Sequence, residues 1–455
     1  MKQPIISISG IRGIFGVSLN PENIITYSNA FAHYLNYGRI VIGRDGRFGG
    51  DIIEKLVESV LLMSGCEAIN LGMVPTPTIA LAVEKLKADG GISFTASHNP
   101  QEWNGMKFIN SKGIFLNAKE NRKFLKFADE DGNRYVERDK IKQVEYYPEF
   151  IDFHINKVLS IKSINVNKIK RRKFKVVVDC VNASGSFIIP KLLVKLGCKV
   201  IKVDCDGSGI FNREPEPAPE NLKNTFRAVK KHRADLGIVV DPDADRLVII
   251  TEEGKPFGEE YTIVTAINHV LKCVPPRKRI AVVNLSTTRA VNDLVNKYNG
   301  KLYRSPVGEV NVINKMIECK AIIGGEGSGG VILPELHYGR DSLVGIALVL
   351  SELVEFGGKV SEYKKQLPEY HILKTKFDLN ELNPDEILNH FREEYKQYKQ
   401  NEEDGLRIDF KDSWVNFRKS NTEPIIRIIT EVKTMKQTKE LQTQVLKEIE
   451  SINKR

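Results

Sequence analysis

The chain has 455 residues, 41% of them hydrophobic and 28% charged, and a formal net charge of +10. That length is too great for a single hydrophobic core and predicts about three or four globular units of ordinary composition. The opening MKQPIISISGIRG lacks the shape of an export signal, and the longest mostly apolar run, Leu343–Val354, is far too short to cross a bilayer, so a cytoplasmic protein with no membrane partner is expected.

Strand-like apolar runs alternate with helix-length segments as far as about residue 355, which predicts α/β units with mixed, largely parallel sheets. The first unit, residues 1–155, contains helix 21–37, strand 39–43, helix 52–64, strand 68–71, helix 77–88 and strand 91–94. The second, 156–255, contains strand 174–179, helix 188–196, strand 199–203, helix 222–231 and strands 236–240 and 247–251. The third, 256–370, contains helix 261–270, strand 280–284, helices 287–296 and 308–316, strand 321–323 and helix 342–356. From about His371 the texture changes to a charged helix, 384–400, strands 406–410, 413–417 and 425–431, and a final helix 437–453. That last stretch reads as a smaller α+β domain.

The cysteines, Cys66, Cys180, Cys198, Cys205, Cys273 and Cys319, form no C-x-x-C pair, which argues against a zinc site or a disulfide framework. Reduced, mostly buried thiols are expected. The basic excess suits nucleic acid or phosphate-bearing ligands. The one basic cluster, KIKRRKFK at Lys168–Lys175, has no interleaved aromatics for base stacking and reads as a solvated linker, so no nucleic-acid partner is expected.

Ser97 stands in the loop TASHNP, directly after the strand 91–94, where open α/β sheets keep their ligands. Asn99-Pro100 predicts a chain reversal that holds the hydroxyl out. Asp241, Asp243 and Asp245 lie at every second residue of DPDADR; on an extended segment they share a face and call for a cation. Oxygen-only ligands point to Mg²⁺. An EF-hand is excluded because Arg246 stands where that loop needs glycine. The run GGEGSGG holds a formal G-x-G-x-x-G at Gly325, Gly327 and Gly330, but VILP follows it in place of a helix, so it is no dinucleotide fingerprint. Glu326 and Ser328 in a flexible loop suit sugar hydroxyls. RKSNTEP with Arg427 offers donors for a phosphate held without chemistry. Arg12, in SGIRG, and Lys107, in NGMK, are candidate charge-stabilising or proton-transfer groups. A serine hydrolase using Ser97 and His98 is disfavoured, since adjacent residues rarely face each other productively and no G-x-S-x-G elbow exists.

Taken together, TASHNP, DPDADR, GGEGSGG and RKSNTEP, in that order, resemble the α-D-phosphohexomutase superfamily. SGIRG, GRDGR at Gly43–Arg47, EPEPAPENL at Glu214–Leu222 and SPVGE at Ser305–Glu309 extend the likeness over nearly the whole chain. The style of the sequence is most similar to bacterial phosphoglucosamine mutases, with phosphomannomutase/phosphoglucomutase enzymes close behind.

The resemblance implies three α/β domains and a smaller fourth around a central cleft. It implies a phosphoryl group carried on Ser97, one Mg²⁺ held by Asp241, Asp243, Asp245 and the phosphoserine, and a hexose 1,6-bisphosphate activator. Lys107, Arg12 and Arg246 would stabilise charge, Glu326 and Ser328 would bind the sugar, and Arg418, Ser420, Asn421, Thr422 and Arg427 would bind the phosphate that is not reacting. A catalytically silent sugar-phosphate-binding protein is the alternative from another class. The chain departs from the pattern at Gly330, where many members have histidine, at Val310, where they have a basic residue, and at Gly49-Gly50, where they have serines; His337 or Lys301 is the expected substitute base.

Overall fold

In the computed structural model, which describes residues 3–8, 10–129, 134–379, 382–420 and 424–452, the alternation of apolar runs becomes four sheets. The strands are β1 (Ile5–Ser7), β2 (Gly10–Ile14), β3 (Arg39–Arg44), β4 (Glu67–Met73), β5 (Gly90–Phe94), β6 (Trp103–Asn110) and β7 (Val144–Tyr146), then β8 (Lys175–Asp179), β9 (Lys199–Val203), β10 (Leu236–Val240) and β11 (Leu247–Thr251). They continue with β12 (Ile280–Asn284), β13 (Lys301–Ser305), β14 (Ile323–Glu326) and β15 (Gly330–Ile332), and end with β16 (His371–Asp378), β17 (Lys399–Asn401), β18 (Leu406–Asp409), β19 (Trp414–Lys419) and β20 (Ile425–Val432). The chain forms two compact units, Met1–Val270 with Ser328–Tyr363, and Leu271–Gly327 with Lys364–Arg455.

In the first unit the order β1-β2-β6-β5-β3-β4-β7 is mixed: β5, β3, β4 and β7 run parallel, whereas β6 returns antiparallel to β5 with Lys107 opposite Ser93. Its core includes Ile42, Ile92, Phe94, Phe108 and Phe124. The second sheet, β11-β10-β8-β9, is parallel except for β11, which pairs back on β10 from Val240 opposite Leu247. The hairpin between them is therefore DPDADR. Both site loops leave the carboxyl ends of buried strands, a consequence of parallel α/β topology. The helix Ser342–Phe356 starts where Asp341 accepts hydrogen bonds from the Leu343 and Val344 amides, satisfying orphan donors of its first turn.

In the second unit β13, β12 and β14 are parallel, and β16-β20-β19-β18-β17 is antiparallel throughout. Isoleucine, leucine, valine and phenylalanine side chains from that sheet and its helices make a separate core, with Ile426, Ile428 and Phe417 fully buried.

Several expectations need correction. Lys168–Lys175 is no linker: Val166–Arg172 is a helix, because Asn165 accepts a hydrogen bond from the Lys168 amide and Ile169 anchors the turn in the core. The charged helix stops at Glu394 and Lys399–Asn401 pairs with β18. β14 runs through Ile323–Glu326, so Glu326 ends a buried strand and does not ride a flexible loop. Among the described residues, no helix is long and apolar enough to cross a membrane.

Candidate active site

Three consecutive backbone decisions place Ser97. The strand β5 ends at Phe94, Thr95 Oγ1 accepts the Ser97 amide at 2.8 Å, and Ser97 itself turns left-handed with φ 50°. A non-glycine residue there costs about 1 kcal/mol or more and persists only where its surroundings enforce it. Arg47 does the enforcing: fully buried, it pairs with Asp45 at 2.9 Å and donates to the carbonyls of Ser97 at 2.5 Å and Trp103 at 2.6 Å. Asp45 in turn accepts from Thr95 Oγ1 at 2.6 Å. Ser97 is 2% exposed, so the loop tucks its hydroxyl inward, correcting the expectation that the turn would hold it out.

Inward of Ser97 lies DPDADR. Its aspartates do not share a strand face as expected; the segment is a turn in which Ala244 is also left-handed (φ 50°) and its amide bonds to the Asp241 carbonyl at 3.0 Å. One ligand atom from each of Asp241, Asp243 and Asp245 nevertheless lies within 4.8 Å of the others, all buried. Ser97 Oγ donates to Asp241 Oδ2 at 3.1 Å. Lys107, reaching from β6, donates to Asp243 Oδ2 at 2.6 Å and lies 3.6 Å from Asp245. Thr76 Oγ1 is 3.0 Å from the same Asp243 oxygen. Arg246 pairs with Glu216 at 2.8 Å while its Nε lies 3.9 Å from Asp245 Oδ1, and Arg340, after β15, donates to Asp245 Oδ2 at 2.6 Å. Arg12 Nη1 donates to Asn99 at 3.0 Å, on the serine loop.

Burial, reinforced by repulsion from Asp245 and Asp243, raises the Asp241 carboxyl well above the usual range. Burial pushes Asp243 upward too, but the ammonium of Lys107 outweighs it and holds that carboxyl below the usual range. Burial pulls Arg12 down, and Arg246 is raised because Glu216 outweighs burial. Asp243 Oδ1 and Asp245 Oδ1 are buried and, among the described residues, accept no hydrogen bond. Carboxylate oxygens left open in a compact oxygen-only cluster are suited to a hard divalent cation.

His98 is closer to Ser97 than its adjacency in sequence suggested: Nδ1 is 3.3 Å from Oγ, and Nε2 is 3.5 Å from Glu216. This is still no hydrolytic triad. Burial and the flanking cations Arg246 and Arg12 depress the imidazole to about 2, moderated by the 35% exposure of its side chain, so it is a poor proton acceptor at neutral pH. In the metal-free, unphosphorylated protein, the His98 ring resonance is expected not to shift between pH 5 and 8 in an NMR titration, whereas a titration near the free imidazole value of about 6.5 would contradict this electrostatic picture.

In the second unit, Glu326 accepts from Asn284 Nδ2 at 2.9 Å and the Gly308 amide at 3.1 Å. Ser328 begins the returning segment of the first unit and is half-buried. Arg418 on β19 stands directly opposite Arg427 on β20, which is opposite Lys376 on β16; Arg418 also pairs with Asp404 at 2.9 Å. Like charges facing each other across strands are destabilising unless an anion joins them. Ser420 closes β19 with its amide on the Ile425 carbonyl at 3.1 Å; Asn421 and Thr422 lie outside the described residues. Of the expected substitute bases, His337 is buried and bonded to Asp341 at 3.1 Å, and Lys301 is exposed on β13. Sequence reasoning gave no role to Asp45, Arg47, Thr76, Glu216 or Arg340. GRDGR and EPEPAPENL were visible as motifs, but what their charged residues touch depends on contacts far along the chain.

Residues 5–134, 152–254 and 258–370 match alpha/beta/alpha domains I, II and III of the phosphoglucomutase/phosphomannomutase family, and residues 380–448 match its C-terminal domain. The chain belongs to that family. It is 36% identical over 443 residues to a phosphoglucomutase/phosphomannomutase of Thermococcus kodakarensis, covering 95% of both chains. It is 35% identical over 431 residues to a phosphoglucosamine/phosphogalactosamine mutase of Sulfurisphaera tokodaii, covering 93% of this chain and 94% of the other. Its fold is that of a phosphoglucomutase/phosphomannomutase family protein from Burkholderia thailandensis, with a TM-score of 0.84, 23% identity and 98% of each chain covered. The enzyme is thus a phosphohexomutase, an isomerase.

Proposed function

We propose that this phosphohexomutase interconverts glucosamine 6-phosphate and glucosamine 1-phosphate through a phosphoserine at Ser97. The observation that carries the chemistry is the Ser97 hydroxyl, held by a left-handed turn 3.1 Å from Asp241 in a buried carboxylate cluster. The phosphoryl group passes from Ser97 Oγ to the free hydroxyl of the bound hexose phosphate. The P–O bond to serine breaks as the bond to the sugar oxygen forms, and the proton given up by the sugar hydroxyl is balanced by one taken up at the freed Ser97 Oγ, the return transfer reversing both. The resulting hexose 1,6-bisphosphate turns over, and its other phosphoryl group returns to Ser97, which takes no net change. The same bisphosphate, added from solution, would phosphorylate the resting enzyme and so act as activator.

Asp241, Asp243 and Asp245, with an oxygen of the phosphoserine, would hold one Mg²⁺, which when bound supplies charge neutralisation at the transferring group. Lys107, Arg12 and Arg246 stabilise charge around the reacting phosphoryl, the main contribution a protein makes to such transfers. Glu326 and Ser328 would take sugar hydroxyls. Arg418, Ser420, Asn421, Thr422 and Arg427 would hold the non-reacting phosphate, Arg418 and Arg427 standing opposite each other on paired strands as its guanidinium donors. Functional boundaries near residues 155, 255 and 370 would give each loop its own domain. The amino sugar is supported by the name of the Sulfurisphaera tokodaii relative; glucose or mannose phosphate is the second reading, supported by that of the Thermococcus kodakarensis relative.

The test is mass spectrometry of Ser97 after incubation with a hexose 1,6-bisphosphate, followed by kcat/KM for glucosamine, glucose and mannose phosphates. Phosphate on Ser97 and the highest kcat/KM for glucosamine 6-phosphate are expected. An unmodified Ser97 overturns the mechanism, and a higher value for either other sugar overturns the substrate.

A further inference from the structure

Arg340 has no assigned role in the sequence reading, yet its guanidinium reaches the cluster: Nη2 is 2.6 Å from Asp245 Oδ2, with the arginine side chain 11% exposed and the aspartate 2%. Its path is made by a glycine. A Cβ at Gly330 would sit 2.3 Å from Arg340 Cδ and 3.0 Å from its Cγ, so any side chain at 330 collides with the stem of the arginine. Gly330 does not have a left-handed backbone, so space alone restricts the position. The residue that stands where many family members have histidine is thus small because an arginine from ten residues further on fills the volume.

The charge balance gives this arginine a task. Asp243 and Asp245 face each other in the buried turn, and Lys107 sits mainly on Asp243. Without Arg340, Asp245 would be a buried carboxylate whose remaining cations stand further off, Lys107 at 3.6 Å and Arg246 at 3.9 Å, with two more carboxyl groups beside it. An arginine at this place holds the loop in shape before a divalent cation arrives, and it also repels that cation once it does.

We propose that Arg340 is a positioning residue of the acidic loop, a resident counter-ion for Asp245 that lowers the affinity for divalent metal in the unphosphorylated enzyme, and that Gly330 is its steric partner. The inference rests on reading the aspartate cluster as a metal site. The test titrates Mn²⁺, followed by electron paramagnetic resonance, into the full unphosphorylated chain. Arg340→Gln, which keeps much of the stem and removes the charge, is expected to bind Mn²⁺ about tenfold more tightly than wild type. Arg340→Lys, which restores the charge, is expected to lie within about threefold of wild type. Gly330→Ala is expected to lower the melting temperature of the wild type and to cost nothing in an Arg340→Ala background, as a double-mutant cycle requires of a direct contact. Measurable Mn²⁺ binding by wild type with equal or weaker binding by Arg340→Gln overturns the counter-ion role. An equal cost of Gly330→Ala in both backgrounds overturns the steric pairing. Absence of Mn²⁺ binding by both wild type and Arg340→Gln overturns the metal reading itself, and the inference falls with it.

Discussion

Replacing Ser97 with alanine is expected to lower the rate of hexose phosphate interconversion by on the order of 10⁴-fold or more, since a covalent carrier has no substitute in the site. The protein should remain folded. The structural duties at this position belong to the backbone: the Ser97 amide bonds to Thr95 and its carbonyl to Arg47, and both survive the substitution. Among the described residues, the lost hydroxyl hydrogen-bonds only Asp241 and His98. A stability change of about 1 kcal/mol or less is expected, because the removed bond is a single neutral-donor hydrogen bond. Circular dichroism melts would check the fold, and a coupled assay with a hexose 1,6-bisphosphate present would check the rate. Residual activity within tenfold of wild type would show that the phosphoryl group does not travel through Ser97.

How much of this was legible in the sequence depends on whether a residue acts through its neighbours or through distant contacts. Strands such as β10, β11 and β12 are runs of mostly apolar residues bounded by turn signals, and their expected limits agree with those observed. The edge strand β16, HILKTKFD, alternates lysines with partly buried residues, and β13, KLYRS, carries a lysine and an arginine among five residues, so neither stands out as a hydrophobic run. Ser97 and the aspartates were readable because their loops are short and chemically dense. The geometry was not: the aspartates converge through a left-handed turn at Ala244, which no alternation pattern reveals. Arg47 and Arg340 were unreadable for another reason. Each is one cation among many in a basic chain, and only the fold shows that Arg47 is fully buried beneath the serine loop and that Arg340 enters the space left by Gly330.

Lys107→Met removes the cation that the acidic turn depends on most, and it is expected to cost about 3–5 kcal/mol of stability at neutral pH, the range for breaking a buried pair and leaving one charge behind. The methionine matches the lysine stem in length, so packing beside Phe115, over which the ammonium sits at 5.4 Å, is largely kept. What is lost is the 2.6 Å contact to Asp243, whose carboxyl is held below its ordinary range by that ammonium although burial pushes it upward. The sign of the pH dependence follows. In wild type the depressed Asp243 contributes stability above the unfolded carboxylate value of about 4, and this contribution is lost as pH falls. In the variant that contribution is absent and burial raises the carboxyl, so the gap between the two proteins is widest at pH 7 and narrows towards pH 4. Urea denaturation at both pH values measures it; a gap that stays constant would show that the ammonium acts through packing alone. Millimolar Mg²⁺ is expected to narrow the pH 7 gap as well, because a dication at Asp243 and Asp245 supplies charge where the ammonium stood. A gap unmoved by Mg²⁺ would mean that the carboxylates hold no metal, and with it the charge neutralisation assigned to this turn would fail.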